Sequence, residues 1–239
     1  MAGQKDAPGA GNGEKGQSAV RRESALPAWR SVLAVVAHPD DETFGLGAVI
    51  DAMTSAGSAV HVLCFTRGEA STLNARNADL RAARAQELRQ ASAELGVATC
   101  TLLGYSDGGL PAVPQAELEA QVSGLAAQHG AEGLLVFDDT GITGHRDHKA
   151  ATAAAVGAAG EVGLAVLAWT LPAVIAGRLR AETGAPFAGR PAHQLDICVG
   201  VSRARQRRAA LLHASQISPA AVLWRRLQLQ GDREHLRWL

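Results

Sequence analysis

Aromatic residues are scarce in this chain. Phe, Tyr and Trp make up 4 % of its 239 residues, with a single tyrosine. A core built with so few rings must rely on Ala, Val and Leu, with small side chains where helices meet a sheet. Net charge is absent too, because 23 Lys and Arg balance 23 Asp and Glu. A general nucleic-acid binder needs a basic excess to neutralise phosphates, so the balance argues against that class. No apolar run reaches 18 residues, so no membrane-spanning helix is expected. The three cysteines, Cys64, Cys100 and Cys198, are far apart and lie in apolar stretches. Their number and spacing argue against a disulfide framework and against a CxxC metal site. They point instead to buried free thiols in a reducing cytoplasm. No internal repeat is found.

The length suits one α/β domain with a sizeable core, and 47 % hydrophobic content is ordinary for a globular chain. Residues 1–28 are rich in Gly, Ala and charge and lack the apolar stretch of a signal peptide. They are expected to form a disordered or loosely docked tail, with a single domain over residues 29–239. The strong Ala and Arg weighting points to a GC-rich bacterial genome.

Short apolar, β-branched runs read as buried parallel strands at 31–37 (SVLAVVA), 59–66, 98–104, 133–138, 165–171 and 194–201. Helical segments alternate with them at 44–56, 77–95, 115–128, 147–159 and 203–214. The 77–95 segment is the clearest, with good helix formers and Gly96 as its stop signal. This alternation predicts a parallel sheet with helices on both faces. Ligands of such sheets bind outside the carboxyl ends of the strands. Polar clusters do follow four predicted strands, at 38–42, 66–69, 106–109 and 138–148. They are placed to converge on one pocket.

Two of these clusters carry chemistry. His38 and Asp41 stand three apart, on a turn between a strand and a helix that Pro39 restrains. That spacing lets an imidazole and a carboxylate face one ion. Asp40, Asp41 and Glu42 are consecutive carboxylates whose repulsion a cation would offset. The bland reading, acidic residues favoured in a helix's first turn, is weakened by the preceding histidine and strand. The second cluster is Gly144-His145-Arg146-Asp147-His148, which can supply one ligand and one supporting or catalytic group. Together the clusters offer His, Asp and His to one ion, with room for a water, a common pattern for hydrolytic zinc. A carboxylate beside that water can serve as general base.

The string Ala37-His38-Pro39-Asp40-Asp41-Glu42 after a strand, with GHRDH at 144–148, resembles the LmbE/PIG-L deacetylases. Further segments agree in order: TRGE at 66–69, RAQEL at 84–88 followed by LGV at 95–97, LGYSDGGL at 103–110 and AALLHASQ at 209–216. The resemblance implies a Rossmann-like three-layer α/β fold with a mostly parallel sheet. It also implies hydrolysis of an N-acyl group, often acetyl on glucosamine. It makes His38, Asp41 and His148 the zinc ligands and Asp40 the general base. His145 becomes the group that stabilises the oxyanion or protonates the leaving amine, and Asp147 orients His145. Arg84, Asp107 and His213 become substrate-contacting or site-supporting residues. Fe2+ suits the same ligands. Glu42 is left as support for the site or the helix terminus. Arg146 stands where the family often has Pro.

The leading expectation is therefore a cytoplasmic zinc N-deacetylase acting on a small N-acetylated amino sugar or conjugate. Alternatives are an amidase for a larger thiol-sugar conjugate and a catalytically silent member, which would lack a ligand or the base. A Rossmann nucleotide binder fails because no GxGxxG follows the first strand. The Gly/Pro/Arg-rich segment 177–191 reads as a loop at the pocket. The four tryptophans read as core or edge packing, and the arginines of the C-terminal region as a solvated helix face. An anionic substrate or a homo-oligomer contact is the runner-up for those arginines.

Overall fold

The computed structural model describes residues 1, 23–73, 79–218 and 220–239. Among these residues seven strands form one sheet: β1 Ser31–Val36, β2 Ala59–Thr66, β3 Thr99–Tyr105, β4 Gly133–Phe137, β5 Ala165–Thr170, β6 Ile197–Gly200 and β7 Arg233–Trp238. The helices between them are α1 Asp41–Phe44, α2 Gly47–Ser55, α3 Leu80–Glu94, α4 Gln115–Gln128 and the single turn α5 Gly141–Gly144. They continue with α6 Arg146–Val162, α7 Ala173–Thr183, α8 Ala204–Leu212 and α9 Val222–Gln230.

The strand order is β3-β2-β1-β4-β5-β7-β6. The first five pair in parallel, and β7 runs antiparallel to both β5 and β6. The chain winds outward from β1 through β2 to β3, then returns to β1's other side for β4. The carboxyl ends of β1 and β4 thus flank the switch point where open α/β sheets bind ligands. The central strands are buried on both faces, which is why β1 reads as unbroken apolar sequence. One core lies on each side of the sheet. Val32, Ala34 and Val36 face one with α2, α3 and α8; Leu33 and Val35 face the other with α4 and α6.

Four sequence expectations change. The first predicted helix, 44–56, divides into α1 and α2 at Gly45-Leu46. Helix α7 occupies part of the expected 177–191 loop, and that segment's Phe187 and Arg190 turn inward, Arg190 onto Asp138. Strand β7 was not anticipated, because REHLRW looks polar. Its Glu234 is fully buried, accepting from the Trp169 indole at 2.7 Å and from Arg203. Of the C-terminal arginines, Arg226 is buried and Arg203 half-buried, paired with Glu234, rather than solvated. Arg205, Arg208 and Arg225 pair with Asp51, Glu94 and Glu182.

Most of the expected tail, residues 2–22, lies outside the described residues. Glu23 bridges to Ile197, and Leu26 packs on the core. All three cysteines are free, and Cys64 is buried. Among the described residues no helix is long and apolar enough to cross a membrane.

Candidate metal centre

The turn after β1 is unusual backbone. Asp40 sits at φ 116°, a left-handed conformation that a non-glycine residue adopts at a cost. Three contacts hold it there. The Asp40 N–H donates to Glu42 Oε2 at 2.9 Å, and the Thr43 N–H donates to the Asp40 carbonyl at 3.0 Å. The buried Arg84 guanidinium, from α3, donates to Asp40 Oδ2 at 3.0 Å, to the Gly68 carbonyl at 2.6 Å and to the Pro39 carbonyl. The result projects His38, Asp40 and Asp41 from one short turn at the sheet's switch point.

Donor groups of three residues converge there. His38 Nδ1 lies 3.3 Å from His148 Nε2, His148 Nε2 lies 3.1 Å from Asp41 Oδ1, and His38 Nδ1 lies 3.5 Å from Asp41 Oδ2. A tetrahedral ion with bonds of about 2.0–2.1 Å separates its ligands by roughly 3.3–3.4 Å. Two ring nitrogens facing each other at that distance need a cation between them or a shared proton. The other side of each side chain is fixed as well. His148 Nδ1 meets the Gly141 carbonyl at 3.2 Å, which leaves Nε2 free. His38 Nε2 meets Asp107 Oδ1 at 3.0 Å and Asp147 Oδ2 at 3.3 Å, which leaves Nδ1 free. Asp41 Oδ2 accepts from the N–H groups of Ala37 and His38, while Oδ1 turns to His148. Such outer partners orient metal-binding groups. The donor set therefore fits a divalent metal ion.

Charge in the cluster follows from the same contacts. Burial opposes protonation of His38, yet hydrogen bonds to Asp107, Asp147 and Asp41 outweigh it and push the imidazole up to about 12. Burial likewise opposes the His148 cation, and Asp41 overrides it. For Asp41 itself, burial is outweighed by His148 and His38, which hold it well below the usual carboxylate range. Asp40 goes the other way. Burial raises it to about 6, against the pull of Arg84. Burial and the neighbouring His148 and His38 lower His145.

His145 is exposed and lies against two other imidazoles, with ring centroids 4.7 Å from His38 and 4.7 Å from His148. It also caps α6, its Nδ1 accepting the Asp147 N–H at 3.2 Å. That bond puts the ring proton on Nε2 when the imidazole is neutral.

The structure redirects several residues expected to serve the site. Asp147 was expected to orient His145, but its carboxylate lies under His38 and accepts from the Gly108 N–H at 2.7 Å. The first turn of α6 carries that side chain inward, so only its backbone reaches His145. Asp107 supports His38 and accepts the Ala70 N–H at 2.9 Å. Arg84 is buried and engaged with the Asp40 turn rather than open to a ligand. His213 is fully buried, with Nε2 2.7 Å from Glu42 Oε1, so it does not reach the pocket. Glu42, given no chemistry by sequence, joins His213 to Asp40. Gly108 and Gly141 were also missed, because they act through the backbone and any residue type offers those groups.

A cavity of about 610 Å³ opens beside the triad, lined by Asp40, Asp41 and His148 and by Phe44, Phe137, Ile142, Trp169 and Phe187 among others. An open α/β sheet with a cluster of His and Asp donors at its switch point, where His38 meets His145 and His148 on one side and Asp107 and Asp147 on the other, defines a Rossmann-like protein with a candidate metal site. The chain belongs to the PIG-L family, whose model, described as GlcNAc-PI de-N-acetylase, matches residues 33–159.

Among relatives, the 1D-myo-inositol 2-acetamido-2-deoxy-alpha-D-glucopyranoside deacetylase of Nakamurella multipartita is 31 % identical over 188 residues, covering 66 % of this chain and 62 % of that protein. A probable N-acetylglucosaminyl-phosphatidylinositol de-N-acetylase of Schizosaccharomyces pombe is 32 % identical over 126 residues, covering 50 % of this chain and 48 % of that one. The chain thus spans about half to three-fifths of the length of these relatives. The N,N'-diacetylchitobiose deacetylase of Pyrococcus horikoshii superposes with TM-score 0.64 at 19 % identity, over 88 % of this chain and 84 % of that one. A 4-carboxy-2-hydroxymuconate hydratase of Pseudomonas putida superposes with TM-score 0.57 at 18 % identity, over 88 % and 96 %. The shared fold therefore does not specify a reaction.

Proposed function

We propose that this chain hydrolyses the N-acyl amide of an amino sugar or amino-sugar conjugate, with His38, Asp41 and His148 holding a zinc ion. The convergence of His38 Nδ1, His148 Nε2 and the two oxygens of the Asp41 carboxylate, at 3.1–3.5 Å, carries the reading. The relatives named as deacetylases of glucosamine conjugates support the choice of amide. Fe2+ suits the same donors, and metal analysis of the purified protein decides between them.

When bound, the ion polarises the acyl carbonyl and makes a water easier to deprotonate. Asp40 receives the proton of the attacking water. Arg84 engages its Oδ2, leaving Oδ1 to accept. A carboxylate raised to about 6 is a stronger base than an ordinary one, yet it is still ionised at neutral pH. His145, neutral with its proton on Nε2, donates a hydrogen bond to the oxygen that gains charge, and the proton that Asp40 took from the water passes to the departing amine as the C–N bond breaks. Asp107 and Asp147 keep His38 in the tautomer that offers Nδ1. A catalytically silent member would lack a donor or the base, and every such position is filled here.

The test is hydrolysis of N-acetylglucosamine conjugates by the metal-loaded protein, read as free amine and acetate. Asp40→Asn is expected to retain the metal and lose nearly all turnover. Turnover retained by that variant removes Asp40 from the role of base.

A further inference from the structure

We infer that the cavity beside the triad is an acyl-chain pocket, so that the substrates are N-acyl amino sugars or conjugates whose acyl group is much longer than acetyl. The inference rests on the N-acyl hydrolase reading above and deepens it.

The cavity begins at the reacting groups. Asp40, Asp41 and His148 form part of its wall, whereas His38, His145, Asp107 and Asp147 stand outside it. Asp41 and His148 thus divide the site into two sides. The polar side carries His145 and suits the amine and its sugar. The other side is where the acyl group must lie if the amide spans the centre.

The walls of that side are apolar. Phe44 and Phe137 border the triad, Trp169 and Phe187 line the cavity further, and Ile217 and Leu223 complete it. Ile142, also in the wall, is held at φ 64°, a strained conformation for a β-branched residue. Its carbonyl accepts from the Ala188 N–H at 2.6 Å, which ties that turn to the segment carrying Phe187.

Arg226 lines the cavity but is already engaged. Its guanidinium donates to Gln230 Oε1 at 2.6 Å and to the Phe44 carbonyl, and it stacks over Trp169 at 4.9 Å. An anionic ligand is therefore not the occupant this wall favours. A sugar is a poor occupant too. Gln216 accepts from Ser71 at 2.7 Å and donates to Ser215 at 3.0 Å, so its amide is largely spent. Thr143 and Ser218 offer few partners for a ring of hydroxyls, which need hydrogen bonds when buried.

Size points the same way. A water-sized group occupies about 30 Å³. The carbonyl and methyl of an acetyl group would fill a small part of about 610 Å³. A chain of about eight carbons would cover the aromatic walls and displace water from them, gaining up to about fourfold per methylene.

The experiment compares N-acetyl-, N-butyryl-, N-hexanoyl- and N-octanoylglucosamine with the metal-loaded protein, read by release of glucosamine. A parallel arm titrates the acetyl and octanoyl compounds into metal-loaded Asp40→Asn by calorimetry. The expected result is kcat/KM at least about 30-fold higher for octanoyl than for acetyl, well below the methylene ceiling. Octanoyl is also expected to bind at least about 10-fold tighter. Val222→Trp, at the exposed rim of the cavity, should lower the octanoyl-to-acetyl ratio at least about 10-fold. Efficient acetyl hydrolysis that falls with chain length overturns the acyl-pocket inference and leaves the hydrolase reading standing. Chain-length-dependent binding without turnover of any compound supports the pocket and overturns the hydrolase reading. No preference in either arm overturns the pocket.

Discussion

His213 Nε2 and Glu42 Oε1 lie 2.7 Å apart, and both side chains are completely buried. The second oxygen of Glu42 accepts the backbone N–H of Asp40, so the pair stands directly behind the left-handed turn that presents the Asp40 carboxylate. The Thr43 hydroxyl donates to Glu42 Oε1, the oxygen that faces His213, at 2.6 Å. A buried charge pair contributes most visibly when one partner is removed, because the other is left uncompensated.

Glu42→Ala is therefore expected to destabilise the protein by about 3–5 kcal/mol, measured by urea unfolding. His213→Gln should lose less in the Glu42→Ala background than alone, since the two act as a unit. Full additivity would show that the pair is not coupled.

The His213 ring gives the pair a pH dependence. Burial opposes its charge, but Glu42 overcomes that and raises it above its ordinary value. A raised folded-state value means that its contribution is complete below about pH 6.5, the unfolded histidine value. The contribution is lost as pH rises through the folded value. The stability difference between the wild type and His213→Gln should accordingly shrink as pH rises above neutrality. A difference that grows with pH would contradict the assigned direction.

Metal uptake should release protons. In the metal-free protein His38 is raised to about 12 and His148 is raised as well, and both must offer a bare nitrogen to an ion. Adding Zn2+ at pH 7 in weak buffer should release about one to two protons per ion, read with an indicator dye, and affinity should fall with acid. At roughly 100 times Kd, the ion should add about 2.7 kcal/mol of stability. Uptake without proton release would exclude these histidines as ligands.

Asp107 and Asp147 share one ring nitrogen of His38. Asp107→Asn or Asp147→Asn should weaken metal affinity or activity roughly 10- to 100-fold while leaving the ligand set intact. Competition with a chelator measures this, and unchanged affinity and activity in both variants would remove them from that role.

Asp40→Asn and Asp40→Ala should separate chemistry from backbone strain. Asparagine tolerates the left-handed region better than alanine, so the Ala variant should also lose stability. Both should lose turnover by about 10²- to 10⁴-fold, the usual worth of a general base. Equal unfolding midpoints for the two would mean that the turn's conformation costs nothing measurable.

Strands β1 to β5 were legible because each is a short apolar run, and a strand buried on both faces has little choice of residues. Strand β7 was not, because its polar residues find buried partners only after folding, Glu234 with Trp169 and Arg203. The Arg226 stack on Trp169 and the aromatic lining of the cavity were illegible for the same reason. Phe44, Phe137 and Phe187 come from separate segments and look like ordinary core residues.

The segment from Ala37 to Glu42 and the cluster from Gly144 to His148 marked a His/Asp/His site by their strand-end spacing, and the resemblance to the LmbE/PIG-L deacetylases singled out His38, Asp41 and His148 as its candidate ligands. The division of labour around them was decided by the tertiary structure. It set Asp147 beneath His38 rather than beside His145, sealed His213 against Glu42, and used Arg84 to hold the Asp40 turn. Hydrogen-bond partners 40 to 170 residues apart depend on how the helices pack across the sheet, and no local pattern encodes that packing.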